Sequence, residues 1–182
     1  QGLRQLYDQT GRRAEWARLV AEIVSEFVDP ATEEPLPGRE EQWGLVTEYR
    51  VCLIKEMRDW AEAERLQRLN VAWDRRRAEA VEPSEVSETS EGSTHLLRTL
   101  AASLHELAQI QREQRQKECV AAYEEALKLF DQIGDQAAAA TNAINLGHAY
   151  MDLPDLRDLA QAEAWYRRSL ELRDKQDHVG RG

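Results

Sequence analysis

Length, composition and charge exclude several classes of protein. The chain has 182 residues, a formal net charge of −10 and 42% hydrophobic residues, too many for a disordered chain. A nucleic-acid interface needs clustered Lys and Arg, so the acidic balance argues against a nucleic-acid partner and gives no attraction to an anionic membrane. No apolar run approaches the roughly 20 residues that cross a bilayer, and no signal-peptide pattern opens the chain, so we expect a cytoplasmic protein.

Helical patterns fill the first 79 residues. The spacing of apolar side chains predicts helices over residues 2–9, 12–28, 39–57 and 60–79. Three closely spaced prolines predict a loop over residues 29–38, because proline disfavours helix interiors. The pattern Ala-Glu-x-x-Arg-Leu begins at Ala14 and again at Ala61, which is the first sign of an internal repeat.

Residues 80–94 interrupt the helical pattern. Ser, Glu, Pro and Gly dominate this stretch and leave little apolar surface to bury, so we predict a flexible acidic loop. The loop separates an N-terminal region of degenerate repeat-like helices, residues 1–79, from a C-terminal region of clearer repeats, residues 95–182. Its hydroxyl side chains leave a phosphorylated regulatory loop open as the alternative.

The C-terminal region contains the clearest repeat. Apolar spacing predicts helices over residues 95–113, 118–133, 137–152 and 156–174. Pro154 ends the third of these, because proline cannot occupy a helix interior. Residues 118–127 match residues 161–170 at a spacing of 43 residues, with a small residue, Tyr, a small residue and Leu in the same register.

These residues resemble the tetratricopeptide repeat (TPR) family, whose helix-turn-helix units repeat about every 34 residues. The positions that fit the family signature are Leu146, Gly147, Tyr150, Ala162 and Tyr166. The longer spacing is similar to that of repeats in large bacterial multi-repeat proteins. Because the chain also begins with Gln1 rather than Met, we expect a fragment of such a protein.

The resemblance implies an all-α fold, a solenoid of about four helical hairpins wound as a right-handed superhelix. In the hairpin before the best-matched one, Leu104-His105-Glu106 stands where Leu146-Gly147-His148 stands. The Gly and Tyr of the signature are missing there, so we expect its packing to differ.

The resemblance also implies a function. TPR proteins bind a peptide or protein partner in a concave groove lined by the first helix of each hairpin. The family's groove-facing pattern falls on Thr141, Ile144, Asn145, His148, Met151 and Asp152, and in the preceding hairpin on Thr99, Ala102, Glu106 and Gln109. Some members clamp a C-terminal carboxylate, but Ala102 and Glu106 stand where that clamp needs Lys and Asn, so we expect no clamp.

Catalytic chemistry has little support in the sequence. The chain contains no glycine-rich phosphate loop, no nucleophile elbow and no zinc-protease motif, so we expect a non-enzymatic scaffold with no cofactor and no metal. His148 and Asp152 could contact a ligand or form an ordinary i,i+4 surface pair. The partner would be a protein, a peptide or another domain of the parent chain. The alternative is a sensor or regulatory arm of a larger signalling ATPase or effector enzyme.

Overall fold

Seven α-helices make up the part of the chain that the computed structural model describes, residues 12–80 and 91–179. They are α1 (Arg13–Val24), α2 (Glu40–Glu56), α3 (Trp60–Glu79), α4 (Glu91–Glu113), α5 (Cys119–Gln132), α6 (Gln136–Asp152) and α7 (Leu159–Val179). A single 3₁₀ turn, Pro154–Leu156, precedes α7. No strand forms in these ranges, and the all-α expectation is confirmed. None of these helices combines the length and apolar character that a membrane crossing requires.

The helix bounds lie close to those predicted from apolar spacing. The predicted helix over residues 2–9 and residues 81–90 of the predicted acidic loop lie outside the described residues. Helix α4 begins at Glu91, earlier than the expected residue 95. Helix α1 ends at Val24 rather than at residue 28, because the following backbone turns back on itself and Val28 bridges to Pro35.

The described chain divides into two compact units, one ending at Asn70 and one beginning at Val71, a boundary that falls within α3. The core of the first unit is aromatic. The ring of Trp16 on α1 meets the ring of Tyr49 on α2 edge-on, with centroids 5.0 Å apart. Trp43 on α2 is almost fully buried, at 2% exposure. Edge-to-face pairs of this kind add about 1 kcal/mol to the burial of the two rings.

The loop between α1 and α2 is held through Glu33. This residue has a φ of 58°, in the left-handed region, and its carbonyl accepts a 2.9 Å hydrogen bond from the Trp43 indole nitrogen. Its carboxylate accepts hydrogen bonds from Arg50 at 2.9 Å and from Arg65. The Arg65 guanidinium is the main reason that the pKa of Glu33 falls from its ordinary 4.5 to about 2. One residue therefore ties the loop to both α2 and α3.

Consecutive helices of the second unit pack against one another, α4 on α5, α5 on α6 and α6 on α7, and α4 also touches α6. Small residues in the shared core allow close approach of the backbones. Fully buried alanines are Ala101, Ala108, Ala126, Ala139, Ala143 and Ala149. The second half of α3 belongs to this unit as well, since Ser103 on α4 donates a 2.6 Å hydrogen bond to the buried carboxylate of Asp74. Burial raises the pKa of Asp74.

Replacing Glu33 with Gln tests the loop anchor. We expect Glu33→Gln to lower the free energy of unfolding of the first unit by about 1 kcal/mol, because two charge-assisted hydrogen bonds on a partly exposed carboxylate are weakened. The measurement is urea unfolding followed by tryptophan fluorescence. Glu48→Gln, at an exposed position in the middle of α2, is the matched control and should leave stability unchanged.

Wild type and Glu33→Gln should also differ in how their free energies of unfolding depend on pH. The folded-state pKa of Glu33, about 2, lies below its ordinary 4.5, so the carboxylate stabilises the fold fully above pH 4.5. That stability is lost as pH falls toward 2, and the difference between wild type and Glu33→Gln should shrink over this window. A difference that stays constant down to the low end of that window would contradict the anchor.

Candidate functional site

The ten predicted groove residues lie on two adjacent helices of the second unit. Four are on α4 and six on α6, and these helices contact each other. None of the ten is buried. Exposed residues are Ala102, Thr141, Met151 and Asp152, and half-buried ones are Thr99, Glu106, Gln109, Ile144, Asn145 and His148. The structure therefore brings the predicted residues together as side chains outside the core, and their role in binding stays a prediction.

Helices α4 and α6 bury equivalent positions at a spacing of 42 residues. The buried pairs are Leu100 with Asn142, Ala101 with Ala143, Leu104 with Leu146 and Leu107 with Ala149. The exposed sides correspond too, since the Thr99 and Thr141 hydroxyls each donate to the backbone carbonyl four residues earlier, at 3.0 Å. These matches place Thr99 and Thr141 at the same register of their two helices.

The second helices of the two hairpins, α5 and α7, correspond at a spacing of 43 residues. Cys119 and Ala162 are buried in both, as are Ala126 and Ser169. The outer sides differ, because Leu127 of α5 is buried whereas Leu170 of α7 is 60% exposed. The two hairpins thus share their inner contacts and differ where α5 is covered by α6.

Gly147 of α6 provides space for an aromatic ring. A Cβ atom added at Gly147 would lie 2.5 Å from Cε1 of Tyr166 on α7, far inside van der Waals contact. The ring of His148 meets the same tyrosine edge-on, with centroids 5.7 Å apart. The Tyr166 hydroxyl donates to the sulfur of Met151 at 3.7 Å. Three residues within little more than one turn of α6 therefore position one tyrosine.

His105 occupies the position of Gly147 in the preceding hairpin. The ring of Tyr123, which is fully buried, meets the His105 ring edge-on at 5.6 Å. The expected difference in packing is present: where one hairpin uses a glycine beneath a tyrosine, the other uses a histidine beside one.

The His105 ring belongs to a hydrogen-bond chain across three helices. The buried Asn142 amide nitrogen donates to the backbone carbonyl of Tyr123 at 3.1 Å, so its Oδ1 faces His105 Nδ1 at 3.0 Å as an acceptor. Nδ1 of His105 therefore carries hydrogen, and Nε2 accepts from the Gln109 amide at 2.7 Å. The donation by the Asn142 amide therefore fixes which His105 nitrogen carries hydrogen, and the Gln109 amide donates to the other one.

The hydrogen-bond chain was not predicted, although its last member, Gln109, is one of the predicted groove residues. The available signal was Asn142 itself, a polar residue on an otherwise apolar stripe of alanine and leucine, because buried amides are kept only where they are hydrogen-bonded. Its partners His105 and Tyr123 lie 37 and 19 residues away in sequence, and no local pattern connects them.

The side chains that this region leaves outside the core carry amide, carboxylate, imidazole and thioether groups. Burial raises the pKa of the Cys119 thiol to about 11 and that of the Tyr123 hydroxyl above its usual range, so both keep their protons at neutral pH. Among the described side chains, no group of three or more His, Cys, Asp and Glu is placed to hold a metal ion.

No family model, curated protein or solved structure matches the chain.

Substituting Gly147 tests the close approach of α6 and α7. We expect Gly147→Ala to lower the free energy of unfolding of the second unit by about 2 kcal/mol, because the added methyl group forces the Tyr166 ring to move. Gly44→Ala is the matched control: this glycine is also helical, but a Cβ there has nothing within 4 Å. The control should gain about 0.5 kcal/mol from restricting the unfolded chain. Equal effects in urea unfolding would contradict the steric assignment.

Removing the Asn142 amide tests the hydrogen-bond chain. We expect Asn142→Ala to destabilise the second unit by about 2 to 3 kcal/mol, because the Tyr123 carbonyl and the His105 ring each lose a buried partner. Asn145→Ala, one turn further along the same helix at a half-buried position, should change stability by less than about 0.5 kcal/mol. A comparable loss in both variants would show that the bridge contributes nothing specific.

Proposed function

We propose that the chain is TPR-like and binds a peptide or protein partner through the first helices of its hairpins. In this proposal the hairpins stack as a right-handed superhelix, and α4 and α6 line its concave side. Support comes from the burial of equivalent positions in α4 and α6 at one spacing and in α5 and α7 at nearly the same spacing. Regular burial of this kind is what stacked hairpins require, because one hairpin cannot cover its own apolar face.

The single observation that carries the binding role is the exposed surface of α4 and α6. All ten candidate residues lie outside the core, while most of the residues between them along each helix are buried. The candidates include amides at Gln109 and Asn145, a carboxylate at Asp152 and a thioether at Met151. An extended peptide offers backbone N–H and C=O groups to amides and side chains to the apolar positions, so this mixture suits a peptide ligand.

The hydrogen-bond chain that joins α4, α5 and α6 also favours binding, because it holds the helices that carry the candidate residues in a fixed register. Gln109 is both a candidate groove residue and the end of the hydrogen-bond chain through His105 to Asn142. A surface whose backbone is already fixed loses less conformational freedom when a ligand binds. A non-enzymatic role and a cytoplasmic location remain part of the same proposal.

The binding role is tested by selecting peptides from a random phage-displayed library on the full chain and measuring their affinity by fluorescence anisotropy. We expect the double variant His148→Ala, Met151→Ala to weaken the selected peptides about tenfold, or about 1.4 kcal/mol, because two groove contacts are truncated.

The matched control carries Glu163→Ala and Arg167→Ala. These residues form an exposed ion pair on α7, so the control also has two substitutions and an unchanged net charge. It should bind as the wild type does. Selection of no peptide above background, or equal losses in both double variants, would overturn the proposed function.

A further inference from the structure

Four side chains form a mixed polar and apolar patch where the end of α6 meets α7. We name His148, Met151, Asp152 and Tyr166 the α6–α7 patch. Tyr166 is its centre, since its ring contacts His148 and its hydroxyl donates to the Met151 sulfur. Asp152 follows Met151 directly and lies one turn after His148. Burial and, after it, the charge of Asp152 raise the pKa of Tyr166. The patch therefore combines a carboxylate and a thioether from the last turn of α6 with the aromatic ring of Tyr166 on α7.

The carboxylate of Asp152 is exposed and available. It forms no ion pair within the described part of the chain, in contrast to the carboxylates of Glu125 and Glu163 on the neighbouring helices, which pair with arginines. Met151 beside it leaves 41% of its surface exposed. A flexible, polarisable thioether at this exposure can pack against the alkyl part of an incoming side chain.

The position of Asp152 on its helix strengthens the preference for a positive charge. It is the last residue of α6, where the backbone carbonyls give the helix end partial negative charge. A carboxylate there is unfavourable, and the last turn of α6 contains no basic residue to offset it. A bound cation would interact with both the carboxylate and the helix end.

Arg112 of α4 is also near enough to Tyr166 to lower the pKa of that tyrosine. It acts on Tyr166 in the direction opposite to Asp152, and its influence on the tyrosine is the smaller of the two. Helix α6 contributes no Lys or Arg, and the whole chain carries a net charge of −10. The balance of charge at the patch therefore favours a cation.

We infer that the α6–α7 patch is the subsite that receives an Arg or Lys side chain of a bound peptide, an inference that rests on the proposed function. Asp152 pairs with the charged head, and Met151 and Tyr166 pack along the aliphatic stem, which long basic side chains bury readily. The chemistry of the partner is thus a peptide segment with at least one exposed basic residue.

The test uses peptides selected on the full chain from the random phage-displayed library. Wild-type protein should enrich Arg or Lys at one peptide position. Replacing that residue with its neutral counterpart, citrulline for Arg, should weaken binding about fivefold, as expected for one partly exposed ion pair with stem packing. The fivefold ratio should fall toward one in high salt, because exposed charge pairs are screened.

Two variants locate the effect. Asp152→Asn should abolish the preference for Arg over citrulline while neutral peptides still bind. Asp155→Asn removes the same charge from an exposed residue three positions further along, in the 3₁₀ turn, and should keep the preference.

The outcomes separate this inference from the proposed function. Peptides that bind without preferring Arg or Lys, that prefer Asp or Glu instead, or that keep the preference in Asp152→Asn overturn the subsite and leave the groove intact. Enrichment of acidic peptides would assign the specificity to Arg112. If no peptide binds at all, the groove itself is wrong and the subsite is overturned with it.

Discussion

One buried amide holds three helices of the second unit in a fixed register. Asn142 is fully buried on α6, and its side chain is hydrogen-bonded to the backbone of α5 and to His105 on α4. An amide enclosed in an alanine-rich core costs about 1 to 3 kcal/mol for each unsatisfied group. A small rotation or translation of any one of the three helices would break a bond, so the polar residue specifies an arrangement that apolar contacts alone would leave less defined.

The same constraint explains why two hairpins with matching burial use different side chains at one position. In the hairpin of α6 and α7, a glycine lets the Tyr166 ring lie against the helix. In the hairpin of α4 and α5, His105 takes that position, because its ring is needed to reach Asn142 and also meets Tyr123. Of these two hairpins, only that of α6 and α7 has a glycine at this position.

Much of the helical structure could be predicted from apolar spacing and from proline. Helix α3 has the predicted bounds, and Pro154 lies in the predicted break before α7. The exposure of the candidate residues also follows from helical periodicity, since positions three or four apart share a face. The shape of the loop after α1 could not be predicted, because it depends on arginines 17 and 32 residues beyond Glu33. The Asn142 bridge is likewise a contact between distant segments, and only its unusual polarity was visible in the sequence.

The Glu33 anchor changes how the loop between α1 and α2 should be regarded. Exposed connections of small and polar residues, such as this one, are where proteases usually cut a folded chain. Yet the carbonyl and the carboxylate of a single residue are held by three side chains, Trp43, Arg50 and Arg65. Opening the loop enough to enter a protease requires all three contacts to break together, so the segment opens as part of the helices that hold it. A connection with the composition of a cleavage site is thereby protected in the folded chain.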